Sequence, residues 1–279
     1  MKYKFIYFLI SAVFLIPGIF SLLFWGVKPG IDFTGGSLLE IKVETDNISL
    51  KEANVQKSGP NQFIIRGAAM DNQQKEELLA KLKQDLGKEV TELRFETVGP
   101  ILGKELLQKT LTAVLLVSLI ITLYVAKQFK QLKYGVCAIL AMFHDSLILL
   151  GAFSLLGHFY GIEVNVLFVT ALLTTLSFSV HDTIVVFDRI RELTRKNFKL
   201  KEEVVVWRAV RETLPRSINN SLTIIIMLLA LVILGGESIR WFALALLIGA
   251  VTGTYSSTFT AAPLLLLWSD ISKLLKKRR

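Results

Sequence analysis

Six stretches of this chain run almost unbroken through apolar residues for the length needed to cross a bilayer. They cover 5–25, 106–126, 134–156, 164–187, 218–234 and 241–268. About 20 helical residues span the ~30 Å of hydrocarbon in a membrane. Inside lipid each backbone polar group must be satisfied within its own segment, so such runs fold as helices. A globular domain would space its apolar residues at helical or strand periods instead. Hydrophobic residues make up 52% of the chain. The fold class expected is an α-helical polytopic membrane protein, six transmembrane helices with a small external α+β, ferredoxin-like domain. Its parts are a first helix over 1–26, the external domain over 27–105, a five-helix bundle over 106–268 and a basic tail over 269–279.

The first run follows Lys2 and Lys4 as a signal peptide would. It is longer than the usual apolar region and no small-x-small cleavage site follows, so it reads as an uncleaved anchor kinked at Pro17-Gly18. Basic residues orient the rest. Lys127, Lys130 and Lys133 join the second and third runs, nine Lys/Arg lie between the fourth and fifth, and five follow the sixth. The opposite connections carry none and one, Arg240. The positive-inside rule therefore places both termini in the cytoplasm. The net charge of +9 reflects this topology. Membrane lipids satisfy such basic segments, and no nucleic-acid partner is expected. The one cysteine, Cys137, lies in the third run, so no internal disulfide can brace the external domain.

Within 27–105 the pattern reads strand, helix, strand, helix, strand. Residues 37–44 and 62–66 are strand-like, and 90–98 alternates. Ser49 three residues before Glu52 suggests a capping box opening a helix over 49–56. A second helix over 71–86 carries Leu78, Leu79, Leu82 and Leu86 on one face and stops at Gly87. The glycine-rich Gly30-Ile31-Asp32-Phe33-Thr34-Gly35-Gly36 lacks the Lys-Ser/Thr of a phosphate loop and reads as a tight bend.

The fourth run holds an aspartate, Asp182. A carboxylate within a bilayer costs about 2.5–3.5 kcal/mol on insertion scales and marks a functional site by default. Thr175, Ser179 and Asp182 share its helical face, with Arg189 beyond. The fifth run opens with Arg216, Asn220 and Thr223. The sixth shows Gly249, Gly253, Ser256 and Thr260, a small-residue face that lets helices approach closely. Asp182 and Arg216 lie at similar depth near the cytoplasmic side, either as a proton-linked pair or as a permanent ion pair. His181, Thr183, Asn220 and Asp145 join Thr175 and Ser179 as candidates for a supporting polar seam. The dipeptides His144-Asp145 and His181-Asp182 lack further metal ligands, and no metal or other cofactor is expected beyond protons as coupling ion. Ser179 and His181, two apart, face away from each other on a helix, so no hydrolytic pair forms and the chain is not read as an enzyme.

These segments resemble the SecD/SecF family. The stretch Gly30 to Gly36 is similar to its entrance motif. Ser179-Val180-His181-Asp182-Thr183-Ile184-Val185-Val186-Phe187-Asp188-Arg189-Ile190-Arg191-Glu192 resembles the fourth-span signature of its SecF members, and Thr213-Leu214-Pro215-Arg216-Ser217 its arginine motif. Gly235-Gly236-Glu237-Ser238, the run from Phe242 to Gly249, and Gly253-Thr254-Tyr255-Ser256-Ser257 complete the pattern. His181 stands where many relatives carry asparagine. The resemblance implies one six-span half of a resistance-nodulation-division-like machine in the bacterial inner membrane. SecD would supply the other half, and with the SecYEG channel and the SecA motor the pair would draw on the proton gradient to promote late-stage export of a translocating preprotein. It implies that Asp182 is the proton-linked carboxylate and Arg216 its partner. The alternative is a half-transporter for a small molecule or lipid.

Overall fold

The computed structural model describes residues 4–45, 48, 54–129, 131–196 and 199–277. The chain divides into two compact units, Met1–Lys28 with Ala113–Arg279, and Pro29–Thr112.

The second unit holds the short helix α2 (Ile31–Thr34), strands β1 (Gly36–Lys42), β2 (Asn54–Gly59), β3 (Gln62–Gly67) and β4 (Thr91–Val98), and helix α3 (Asn72–Leu86). The four strands form one antiparallel sheet in the order β2-β3-β1-β4. Alternation aims Leu39, Ile41 and Val43 to one face, where they bury with Phe63, Ile65 and the α3 residues Leu79 and Leu82. Each such burial contributes about 1.5–3 kcal/mol. On the other face Ile31 of α2 covers Leu38 and Ile64. Helix α3 opens on a capping box between Asp71 and Gln74 and closes at Gly87 in the left-handed region.

One expectation is corrected here. The helix read over 49–56 is not formed at its described end, where 54–56 belong to β2; residues 49–53 lie outside the described residues. The sequence Ser58-Gly59-Pro60-Asn61 is turn chemistry. It pairs Gly59 with Gln62 and puts Asn61 at φ 60, so β2 and β3 close as a hairpin. Among the described residues this sheet carries a single long helix, not two.

The glycine pair is more than a bend. Gly35 at φ 73 caps α2, and a β-carbon there would lie 2.8 Å from the Pro100 Cα. At Gly36, φ 120, it would lie 2.7 Å from the Gly67 carbonyl. Only glycine fits this junction between the sheet and the chain's return at Pro100.

The first unit gathers α1 (Lys4–Phe24), α5 (Leu132–Tyr160), α6 (Val166–Lys196), α7 (Glu202–Leu234), α8 (Glu237–Ser256) and α9 (Ala262–Lys277), with most of α4 (Pro100–Gln128). Among the described residues six helical segments are long and apolar enough to cross a membrane, α8 and α9 together making the sixth. That segment is not a plain helix, because Ser257–Ala261 form a π-turn. Pro263 explains it: proline lacks the N–H that would bond the Phe259 carbonyl and its ring crowds that carbonyl, so the turn upstream widens. Helices α1 and α5 cross at glycines, where a β-carbon on Gly151 would sit 2.5 Å from the Gly18 Cα. Beside the crossing, the Ser21 and Ser154 hydroxyls bond at 2.6 Å.

Candidate functional site

Helix α6 concentrates the polar side chains of the bundle. Its interior residues Thr175, Ser179, Asp182 and Thr183 are all buried. Their hydroxyl-bearing turns face α8, whose glycines admit them: a β-carbon on Gly249 would lie 2.0 Å from Thr175 Oγ1, and one on Gly253 3.1 Å from the Phe178 ring. The hydroxyls of Thr175, Ser179 and Thr183 are enclosed without a hydrogen-bond partner. Buried polar atoms of this kind ordinarily bond something, so three in one column set this helix face apart from the packed core around it.

Asp182 is 4% exposed. Its carboxylate accepts from Ser217 of α7 and, at 3.5 Å, from Ser257 of the π-turn. One side opens on a cleft of about 740 Å³ whose lining includes His181, Glu212, Arg216, Ser217 and Asn220. Arg216 acts on the carboxylate through its charge, and no ion pair between the two forms among the described residues. Glu212, one turn before Arg216, is taken by Arg189 at 2.7 Å and Arg208 at 2.9 Å. Arg189 also contacts Glu192. The cleft therefore holds one engaged carboxylate, Glu212, and one arginine, Arg216, left to face Asp182.

Pro215 sits directly before this arginine inside α7. Its missing N–H leaves the carbonyl one turn earlier without a helical donor, which loosens the helix where the cleft opens. His181 and Asn220 are exposed on the cleft wall, whereas Ser179 points into the bundle, so Ser179 and His181 do not meet. No three His, Cys, Asp or Glu side chains converge to hold a metal ion among the described residues.

Asp145 lies elsewhere in the bundle. It is wholly buried on α5, with Oδ1 2.9 Å from His144 Nδ1 and Oδ2 accepting from Ser256 Oγ at 2.6 Å. The structure thus brings Asp182, Arg216, His181 and Asn220 to one cleft, stacks Thr175, Ser179 and Thr183 behind it, and sets Asp145 apart. Sequence reasoning missed Ser217 and Ser257 as donors to Asp182, and the link from Ser256 to Asp145. Pro263 was the available signal, since a proline inside a span announces a widened turn upstream.

Comparison with known proteins follows the same outline. The model for the C-terminal part of protein export membrane proteins SecD/SecF matches residues 78–270, and that for the SecD/SecF GG motif matches 20–46, which contain Gly35 and Gly36. A protein translocase subunit SecF from Thermobaculum terrenum is 40% identical, covering 97% of this chain and 93% of its own length. One from Anaerolinea thermophila is 37% identical over 96% of this chain and 92% of its own. The crystal structure of SecDF, a translocon-associated membrane protein from Thermus thermophilus, superposes with a TM-score of 0.84 over 97% of this chain at 32% identity. SecDF in a super-membrane-facing form gives 0.71 over 99%, also at 32% identity. The chain spans 39% and 38% of those two SecDF chains.

Proposed function

We propose, since the chain belongs to the SecD/SecF family of protein-export membrane proteins, that it couples proton movement to late-stage export of preproteins. In this reading it works with SecD beside the SecYEG channel and SecA, in a bacterial inner membrane with both termini cytoplasmic. One observation carries the proton part: Asp182, buried in a helical bundle, opens onto a cleft that holds an arginine with no ion-pair partner among the described residues.

The physics of such a site is bistable. An ionised Asp182 is held by two hydroxyl donors and drawn toward the Arg216 charge, an attraction that the burial of Asp182 strengthens and the exposure of Arg216 to the cleft moderates. Proton uptake cancels it and leaves the guanidinium to find another partner. Asp182 contacts α7 through Ser217 and the α8 end through Ser257, so its charge state acts on both helices. A proton gradient that charges and discharges Asp182 in turn can drive these helices between two arrangements.

The test is gradient-dependent translocation into inverted membrane vesicles supplied with SecA and ATP. Asp182→Asn should insert and associate with SecD normally, yet lose the gradient-dependent part of export. Arg216→Met should do the same, and the double variant should be no worse than either single one, because residues that act as a unit are not additive. Full stimulation by Asp182→Asn would leave the carboxylate a structural element.

A further inference from the structure

We propose that Asp145 is a positioning residue for Asp182, acting on it through the π-turn at the end of α8. The inference rests on Asp182 being the carboxylate that takes up protons, and not on export.

Two neighbouring helices each bury one carboxylate, Asp145 on α5 and Asp182 on α6. Consecutive serines of a single segment reach both. Ser256 Oγ donates to Asp145 Oδ2 at 2.6 Å, and Ser257 Oγ reaches Asp182 Oδ2 at 3.5 Å. The two bonds are unequal in a way that assigns roles. The Asp145 bond is short and fully enclosed, and His144 Nδ1 fixes the other carboxylate oxygen. It has the length of a charge-assisted hydrogen bond. Each serine has a carbonyl as second acceptor, Gly253 at 3.3 Å for Ser256 and Thr254 at 3.1 Å for Ser257, but only for Ser257 is that carbonyl nearer than the carboxylate. A small tilt of the turn decides which acceptor Ser257 serves.

The turn can tilt because it is a π-turn. Ser257–Ala261 wind wider than an α-helix, and the Ser257 N–H, bonded to the Gly253 carbonyl, is the last tie of this turn to the regular i→i−4 ladder. Beyond that tie, side-chain anchors on either side of the turn set how it tilts, and Ser256 on Asp145 at 2.6 Å is shorter than Thr260 on Ser11. Thr260, bonded to Ser11 of α1 at 3.3 Å, is the anchor on the far side. The groups facing Asp182 are His181, Glu212, Arg216, Ser217 and Ser257; those facing Asp145 are His144 and Ser256. The sets share no residue, and the Ser256–Ser257 peptide is the hydrogen-bonded link that joins them.

A hydrophobic carbodiimide reads this directly, because it adds only to protonated carboxyls: the acid O–H adds across a C=N bond and the adduct rearranges to a stable acylurea. The probe is dicyclohexylcarbodiimide on the purified full-length protein, with the adduct at residue 182 quantified by peptide mass spectrometry. At a fixed, mildly alkaline pH, Ser257→Ala should raise the rate at residue 182 about threefold, the change that half a pH unit makes, because the carboxylate loses a donor to its charged form. Ser256→Ala and Asp145→Leu should reproduce that rise by releasing the turn. Ser256→Ala added to Ser257→Ala should add nothing, whereas a general distortion of the bundle would add to it. Should Asp145→Leu not fold, Ser256→Ala, which removes one hydroxyl, carries the test alone. Unaltered rates in Ser256→Ala, with or without a rise in Ser257→Ala, would overturn the inference and leave the proton reading standing. No adduct at residue 182 in the unaltered protein at any pH would overturn the proton reading and the inference together.

Discussion

Thr175 and Gly249 meet at the tightest point of the bundle. A methyl placed on Gly249 would come within 2.0 Å of Thr175 Oγ1 and 2.9 Å of its Cβ. Thr175 is β-branched and buried, so no rotamer carries it out of the way. Gly249→Ala should therefore push α8 off α6 and destabilise the purified protein by about 1–3 kcal/mol, the usual range for an overpacked core. Gly253→Ala, whose methyl meets the Phe178 ring at 3.1 Å, should cost less. Thr175→Ala should rescue much of the Gly249→Ala loss, a coupling that residues out of contact would not show. Denaturant unfolding in detergent measures all three. At this same scale the sequence singled out Asp182 and Arg216 as candidates, because a charge beside or within an apolar run is conspicuous. It did not announce Ser217 or Ser257. Serine is common in transmembrane helices, and its partner is fixed by how helices pack, which no spacing within one helix records.

The elements were legible where one local signal dominated. Gly87 marks the end of α3 and the acidic Asp71 its start; the structure shows the left-handed stop and adds a capping box between Asp71 and Gln74 that the sequence reading did not name. The hairpin was misread because a capping-box pattern at Ser49 competed with the turn signal at Gly59-Pro60-Asn61, and the turn prevails. Hydropathy also ended α6 and began α7 too close to the membrane. Both helices continue as charged, solvent-facing helix through i,i+4 pairs such as Lys196–Glu192 and Arg208–Glu212. The external unit carries a prediction of its own. Its core is small, so Pro29–Thr112 expressed alone should fold marginally, with a mixed helix and sheet circular dichroism spectrum and a cooperative melt. Asp71→Ala should remove about 1 kcal/mol and lower the midpoint by roughly 4–8 °C. A random-coil spectrum at low temperature would mean that another chain completes the sheet.

Across the whole molecule the unequal burial of the spans is informative. In the most apolar window of α5, 61% of residues are buried, against 6% in α4 and 17% in α1 and α7. A bilayer tolerates bare apolar helices, so exposure alone names no partner; the SecDF chains this one resembles are more than twice its length. The orientation in the membrane decides which compartment's protons reach Asp182, and so which way any coupling runs. From the basic residues we propose that the α6–α7 connection and both termini are cytoplasmic and Pro29–Thr112 external. In that orientation the cleft around Asp182, next to Arg189 and Glu212, would lie on the cytoplasmic side and the column Thr175–Ser179 toward the exterior. Protons moving inward would meet the column first and leave through the cleft. A cysteine scan settles the orientation, because the one native thiol, Cys137, is buried and can be replaced by alanine. In intact spheroplasts an impermeant maleimide should label Gln73→Cys on α3 and spare Lys201→Cys at the start of α7. Permeabilisation should expose the second. Labelling at position 201 with protection at 73 would invert the molecule and, with it, the direction of proton flow.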